Sequence, residues 1–294
     1  MEVVLAGASG LIGSALAQSL RADGHRVKTL VRRTVRGEDV DNWDPDQGLL
    51  DPNFLSGADA VVCLSGAGVG DHRWTDEYKR VIRQSRVDSV GTIARSLAEY
   101  GGPRVLLAAS AVGYYGDTGD REVVEESPAG DSFLSRVCLD WEAAAEPARA
   151  AGVRVTHLRT GLVLAPGAGL LRRLTPIVRA GLGGKLGNGR QFMPWITLTD
   201  EVAAIRFLLD HELAGPVNLT GPKPVRNAEF TRKLGQLLHR PTAFRVPGIA
   251  ARVALGQFAE DVLTGQRALP KRLLDAGFTF QHRDLDAALR SVLS

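Results

Sequence analysis

The tightest constraint on this chain is its first turn, Gly7-Ala8-Ser9-Gly10-Leu11-Ile12-Gly13. A short apolar run, Val3-Val4-Leu5-Ala6, precedes it and reads as a buried strand. Leu11, Ile12, Ala15, Leu16 and Leu20 follow at helical spacing. A strand, a glycine turn and a helix in that order make a seat for a dinucleotide pyrophosphate. The glycines let the backbone turn tightly and approach the phosphates. The helix N-terminus offers unpaired N–H groups at the positive end of its dipole. The spacing here is G-x-x-G-x-x-G rather than G-x-G-x-x-G, so the flanking strand and helix carry the reading more than the glycines do.

The same rhythm continues. Strands are expected at residues 26–31, 58–64, 104–109 and 153–159, with a short one at 217–219. Helices are expected at 76–100, 133–151 and from Thr199-Asp200 to about 209. Near-continuously apolar strands alternating with helices predict a parallel sheet covered on both faces. Ligands of such sheets bind beyond the carboxyl ends of the strands, where strand order reverses. The loops at Gly7, Arg32, Leu64, Ser110 and Thr160 then line one crevice, and Ser65 to Gly70 reads as a flexible loop. The second strand ends in Val31-Arg32-Arg33, and no carboxylate follows until Glu38. A carboxylate at that place would accept from the ribose 2′-OH of NAD, whereas two guanidiniums suit the 2′-phosphate of NADP.

At 294 residues and 44% hydrophobic, the chain can bury one large core and a smaller lobe. The rhythm breaks after Leu162, where residues 167–189 are rich in glycine. The reading is a Rossmann-type doubly wound α/β domain over 1–165, to which 197–219 returns. A smaller C-terminal α/β lobe is built from 166–196 and 220–294. Met1-Glu2 leads straight into the first strand, and no apolar run is long enough to span a bilayer. Cys63 and Cys138 sit in apolar surroundings, which suits a reduced cytoplasmic protein. The histidines lack metal-ligand spacing, so no metal site is expected. Arginine supplies 30 of the 36 basic residues, interspersed with acids, which argues against a nucleic-acid face. Nothing in the sequence fixes an oligomeric state.

Spaced fragments along nearly the whole chain resemble the extended short-chain dehydrogenase/reductases, in an atypical branch of epimerase-family proteins. They include Gly7–Gly13, Arg73-Trp74-Thr75, Ser85-Arg86-Val87, Ser110–Gly116, Trp141-Glu142 and Leu158-Arg159-Thr160-Gly161. Gly187-Asn188-Gly189-Arg190-Gln191, Trp195-Ile196 and Gly265-Gln266-Arg267 extend the resemblance into the second lobe. It implies NADP(H) as cofactor. The cofactor contacts expected are Gly7, Ser9, Gly10, Leu11, Ile12, Gly13, Arg32, Arg33, Leu64, Ser65, Gly66, Arg86, Ala109 and Leu162.

That group moves protons with a Ser or Thr near Tyr-Gly and a Tyr-x-x-x-Lys pair one helical turn apart. The lysine lowers the tyrosine pKa and holds the nicotinamide ribose. Here the tyrosines are 78, 100, 114 and 115, and none has lysine four residues later. With Glu142 setting the register, the tyrosine place falls on Leu134 and the lysine place on Cys138. Counting back from Tyr115-Gly116 puts the hydroxyl place on Ala111, next to Ser110. The remaining catalytic candidates are Tyr115, Ser110 and Tyr114. Nucleotide-sugar epimerases in this group grip a diphosphate with an arginine where this chain has Met193. Gln191, Met193 and Trp195 are then expected to form a mostly apolar substrate wall with one amide. The leading expectation is an NADP(H)-dependent oxidoreductase acting on a small, largely apolar carbonyl or hydroxyl compound. The alternatives are a non-catalytic NADP(H) sensor or partner-binding protein, and a nucleotide-sugar epimerase.

Overall fold

The N-terminal apolar run forms β1 (Glu2–Ala6), and the glycine turn leads into α1 (Leu11–Ala22). The structure, a computed structural model, describes residues 1–293, the side chain of Arg36 excepted. β2 (Arg26–Val31), β3 (Arg36–Gly37) and β4 (Val40–Asn42) follow, then β5 (Ala60–Cys63) and β6 (Val105–Ala111). Next come β7 (Arg154–Thr160), β8 (Leu162–Ala165), β9 (Trp195–Thr197) and β10 (Gly215–Leu219). The large sheet runs β10-β7-β6-β5-β1-β2-β4-β3 and is parallel except for β3 against β4. Strand order reverses between β1 and β5, so the crevice of a doubly wound sheet opens where the chain leaves those two strands.

Alternation along each strand explains the two covered faces. Val3, Leu5, Val62, Leu107 and Leu158 join the core beneath α1 and α6 (Leu198–Asp210). Val4, Ala6, Val61, Leu106 and Val155 face the opposite way. They meet α2 (Asp76–Tyr100), α3 (Phe133–Ala143) and α4 (Glu146–Ala150). Each such fully buried valine or leucine contributes about 1.5–3 kcal/mol against the cost of ordering the chain. The Thr75 hydroxyl caps α2 by accepting from the Tyr78 N–H, and Asp76 and Glu77 complement its N-terminal dipole.

The structure departs from the sequence reading in three places. The single helix expected over 133–151 is broken between α3 and α4, where Pro147 has no N–H to continue the ladder. The acidic stretch 37–48, whose turn-rich letters predict no strand, supplies all of β4 and the end of β3 to the sheet. Leu273, Phe278 and Phe280, assigned to the small lobe, pack in the large core with α1 and α6. A separate core holds Leu164, Trp195, Phe230 and Leu234 with Leu285, Ala288, Leu289 and Val292 near the C-terminus. It includes α5 (Gly169–Arg179) through Leu171 and Val178, and β8 and β9 pair in parallel beneath it.

Candidate cofactor crevice

The glycine turn is shaped by contacts that exclude a side chain. Gly7 has φ +89°, and a Cβ there would stand 2.8 Å from the carbonyl carbon of Leu64. A Cβ on Gly13 would stand 2.2 Å from the Gly7 oxygen. β1, β5 and α1 therefore meet backbone to backbone at the reversal point. Gly10 precedes α1 with no side-chain cap, which leaves the first N–H groups of the helix open to an anion. Above the turn lies a cavity of about 310 Å³. Its walls include Leu11, Ile12, Leu64, Leu162 and Val163. Gly169 at the start of α5 closes it from the second lobe. A bare helix N-terminus over a cradle that a Cβ would fill fits a dinucleotide pyrophosphate. Ser9 is exposed beside this turn, and Leu162 faces it from β8. Val163 and Gly169 escaped the sequence reading, because the glycine-rich stretch after Leu162 has no periodicity that aims it back at the first turn.

At the end of β2, Arg32 and Arg33 are exposed, and neither makes an ion pair among the described residues. The acids closest in sequence are already engaged. Arg26 pairs with Glu2, Glu38 and Asp39. Two guanidiniums thus stand uncompensated one strand away from the cradle.

The loop after β5, read as flexible, is pinned along its length. The Ala67 N–H donates to the Ser85 Oγ at 3.1 Å, and the Tyr78 hydroxyl donates to the Gly68 oxygen. Trp74 Nε1 donates to the Val69 oxygen at 2.7 Å, and Arg173 reaches the Gly70 oxygen at 2.9 Å. Arg86, half-buried on α2, lies across Gly66. Ser65 is half-buried in the same loop, and Ala109 is half-buried on β6.

At the end of β6 the hydroxyls enter a buried network. Ser110, 3% exposed, donates to Glu142 Oε1 at 2.7 Å. Arg159 donates to both oxygens of Glu142, at 2.8 and 2.9 Å. Its Nη1 reaches the Tyr115 hydroxyl at 3.0 Å, and that hydroxyl donates to Asn218 Oδ1 at 2.7 Å. Burial works against the charge on Glu142, but the Arg159 fork outweighs it and holds the carboxyl below its usual range. Burial pushes the Tyr115 phenol up to about 12 against the opposing pull of Arg159 and Asn218. The expectation of Tyr115 as a phenol at the crevice is corrected: its side chain is 1% exposed and bonded inward. Ser110 is likewise committed to Glu142. Tyr114 differs, being half-buried with its ring 3.4 Å beneath the Arg159 guanidinium carbon. Its hydroxyl makes no hydrogen bond among the described residues.

Two of the three residues at the family's proton-transfer places come together as an inert set. The Cys138 thiol donates to the Ala111 oxygen at 3.6 Å, and Leu134 packs beside Gly113. Burial pushes the Cys138 thiol up to about 12. The substrate wall is also corrected. Trp195 is fully buried with Nε1 donating to the Lys223 oxygen, and Met193 lies 8% exposed in the same core. Gln191 donates to the Leu186 and Val262 oxygens at 3.3 Å. The sequence reading missed Glu201, fully buried on α6, whose Oε1 accepts from the Thr160 hydroxyl at 2.8 Å. A glutamate in a first helical turn reads as a dipole partner, so nothing in the pattern signals its burial. Among the described residues, no cluster of metal-ligating side chains is present, and no helix is long and apolar enough to cross a membrane.

Comparison with known proteins matches residues 3–220 to the NAD dependent epimerase/dehydratase family and residues 246–292 to a domain of unknown function, DUF1731. Epimerase family protein Mb2239 of Mycobacterium bovis is 47% identical over 289 residues, spanning 98% of this chain and 96% of that protein. The crystal structure of human epimerase family protein SDR39U1 (isoform 2) with NADPH is 30% identical. It superposes with a TM-score of 0.89, covering 99% of each chain. A crystal structure of the nucleoside-diphosphate sugar epimerase from Corynebacterium glutamicum is 35% identical with a TM-score of 0.82. It covers 100% of this chain and 58% of that one.

Proposed function

The chain belongs to the NAD dependent epimerase/dehydratase family, in an atypical short-chain dehydrogenase/reductase branch, and on that premise we propose that it is an NADP(H)-dependent oxidoreductase of a small carbonyl or hydroxyl compound. The observation that carries the cofactor choice is the unpaired Arg32-Arg33 at the end of β2, beside a glycine cradle that a side chain would fill. The human relative solved with NADPH supports the same choice. When bound, the nicotinamide supplies or accepts a hydride. The first turn and the α1 N-terminus hold the pyrophosphate, and Arg32 holds the 2′-phosphate, with Arg33 beside it. Tyr114, with its hydroxyl uncommitted and its ring held under Arg159, passes the proton to or from the substrate oxygen. Because Met193 and Trp195 are core residues, the substrate class rests on the cofactor chemistry rather than on an apolar wall.

Titrating NADPH and NADH against wild type and Arg32→Ala tests this reading. A charged hydrogen bond contributes about 1.5–3 kcal/mol, and exposure keeps the net near the lower figure. Wild type is therefore expected to prefer NADPH by roughly tenfold or more, and Arg32→Ala to lose most of that preference. Equal wild-type affinities would sink the assignment.

One observation favours a second reading, a non-catalytic NADP(H) sensor. Leu134 and Cys138 stand where the proton-transfer pair belongs, and Tyr115 is bonded inward. NADPH binding with no NADPH oxidation across a panel of small aldehydes and ketones would favour the sensor. The nucleotide-sugar epimerase is a weaker reading, since buried Met193 cannot grip a diphosphate.

A further inference from the structure

The net charge of +3 is not spread evenly over the chain. Residues 166–199 hold five lysines and arginines and no carboxylate, and residues 238–259 hold three arginines and no carboxylate. The rest of the chain keeps 28 cations against 33 acids, so the balance splits into +8 and −5. The fold brings the two basic stretches together. The strands Gly184–Leu186 and Phe244–Val246 pair in parallel, and the Gly187 N–H donates to the Val246 oxygen at 2.9 Å. Arg240 Nε donates to the Arg179 oxygen and Arg245 Nε to the Gly187 oxygen, both at 2.9 Å. α5 leads into this pair of strands, and the helix Gly248–Leu255 leaves it.

These cations have almost no acids to meet. Arg172, Arg173, Arg179, Arg245 and Arg252 are exposed, and none makes an ion pair among the described residues. Arg190 comes within 3.9 Å of Asp120, an acid that Arg226 already holds at 2.8 Å. The same unit exposes apolar side chains. Of the eleven large apolar residues exposed among the described residues, five fall here: Ile177, Leu182, Phe244, Ile249 and Val253. One exposed apolar side chain needs no explanation, but five on one basic unit do. Two local devices gather them. α5 ends in a Schellman turn with Gly181 at φ +76°, where the Leu182 N–H donates to the Ile177 oxygen at 3.1 Å. Ile249 and Val253 stand one turn apart on the helix Gly248–Leu255, 74% and 71% exposed, and Arg252 lies beside Ile249 on the helix surface.

We propose that this face of the small lobe seats the protein on an anionic lipid bilayer. Headgroup phosphates accept from the arginines, and the apolar side chains enter the boundary between headgroups and acyl chains. A nucleic acid would also answer the charge, but single-stranded ligands are held on stacking aromatics, and Phe244 is the one ring among the five exposed residues. A second copy would set the same cations against each other. Arg173 bonds the Gly70 oxygen at 2.9 Å and Arg73 bonds the Val253 oxygen at 2.7 Å, so the seat borders the loop that follows β5. The proposal goes beyond the cofactor reading and does not depend on it.

Co-sedimentation of the full chain with vesicles tests it. One set of vesicles is phosphatidylcholine alone, and the other is phosphatidylcholine and phosphatidylglycerol at roughly three to one. Wild type is expected to partition onto the anionic vesicles roughly tenfold better or more, and to come off as salt rises. Arg172→Gln with Arg252→Gln is expected to weaken that binding on the order of tenfold, since each arginine near the surface is worth about fivefold. Ile249→Ser with Val253→Ser is expected to weaken it by roughly tenfold through lost apolar burial. A control pair, Arg104→Gln with Arg149→Gln, removes the same charge from the large domain and is expected to bind like wild type. All six positions are exposed, so each variant should keep the wild-type thermal midpoint. Equal partition onto neutral and anionic vesicles, unchanged binding in either pair on the face, or equal weakening by the control pair would overturn the proposal. So would a mixed-sequence single-stranded oligonucleotide that displaces wild type from the anionic vesicles at equal phosphate concentration, which would assign the face to nucleic acid.

Discussion

Tyr114 and Tyr115 are neighbours in sequence with opposite surroundings, and the pair separates a structural phenol from a chemical one. The Tyr115 hydroxyl lies between Asn218 and Arg159. Replacing it with Phe strands Asn218 Oδ1 and one Arg159 donor in the interior. Tyr115→Phe is therefore expected to cost about 1–3 kcal/mol, read as a lower urea midpoint at unchanged slope. Tyr114→Phe removes a hydroxyl with no internal partner. It is expected to leave that midpoint nearly alone and to lower turnover by on the order of 10²-fold on any substrate found. The reverse pattern would return the chemistry to Tyr115. The sequence could show that two tyrosines follow β6, but it could not show which one turns inward. Residues 112–115 form a single 3₁₀ turn, too short for a periodicity that ties position to burial. The glycine turn was legible for the opposite reason. Gly7 and Gly13 are demanded by backbone contacts that no other residue type allows, so chemistry and geometry coincide in the letters.

At the level of elements, α3 and β7 are tied by one fork, Glu142 to Arg159, with Ser110 of β6 bonded to the same carboxylate. The Arg159 side chain is 3% exposed. Removing its partner leaves a buried charge uncompensated, which typically costs about 3–5 kcal/mol. Glu142→Ala is expected to lose that much in equilibrium denaturation, and a loss under about 1 kcal/mol would show the fork to be dispensable. The acid side has a definite sign. Because the folded Glu142 carboxyl titrates below its usual range, its contribution is present above the unfolded carboxylate pKa and is lost as pH falls through the folded value. The sequence placed α3 and β7 but treated Glu142 only as a register mark. A buried fork across two elements needs both partners located in space, and spacing along one element cannot locate them. The break between α3 and α4 was missed for a simpler reason. The alanines at 143–145 carry helical propensity on both sides of the break, and Pro147 is tolerated because it falls in the first turn of α4.

Across the whole molecule, the start of α6 is where the parts join. β9 of the small core runs straight into it, and Asp200 there accepts from the Gln281 and His282 N–H groups of the C-terminal segment. Glu201, the next residue, bonds Thr160 at the end of β7. Burial pushes the Glu201 carboxyl up to about 8, only partly offset by the Thr160 bond, and its Oε2 is buried without a partner. The folded pKa lies above the unfolded one, so the folded chain holds a proton there that the unfolded chain releases. The resulting stability is fully present below the unfolded carboxylate pKa, near 4.3, and drains away as pH rises toward 8. Burial also raises Glu125 and, to about 6, Asp261, so part of any decline belongs to them. Those groups are common to wild type and Glu201→Gln, and the difference between the two proteins isolates Glu201. Glutamine keeps an acceptor for the Thr160 hydroxyl without the charge. Thermal unfolding between pH 5 and pH 8 is expected to show a Tm that falls more steeply for wild type than for Glu201→Gln. The variant should be the more stable protein at pH 8, by roughly 2–4 °C for each kcal/mol of slope removed. Parallel curves would mean that Glu201 is ionised in the folded protein, and the junction at α6 would then have to hold a buried charge.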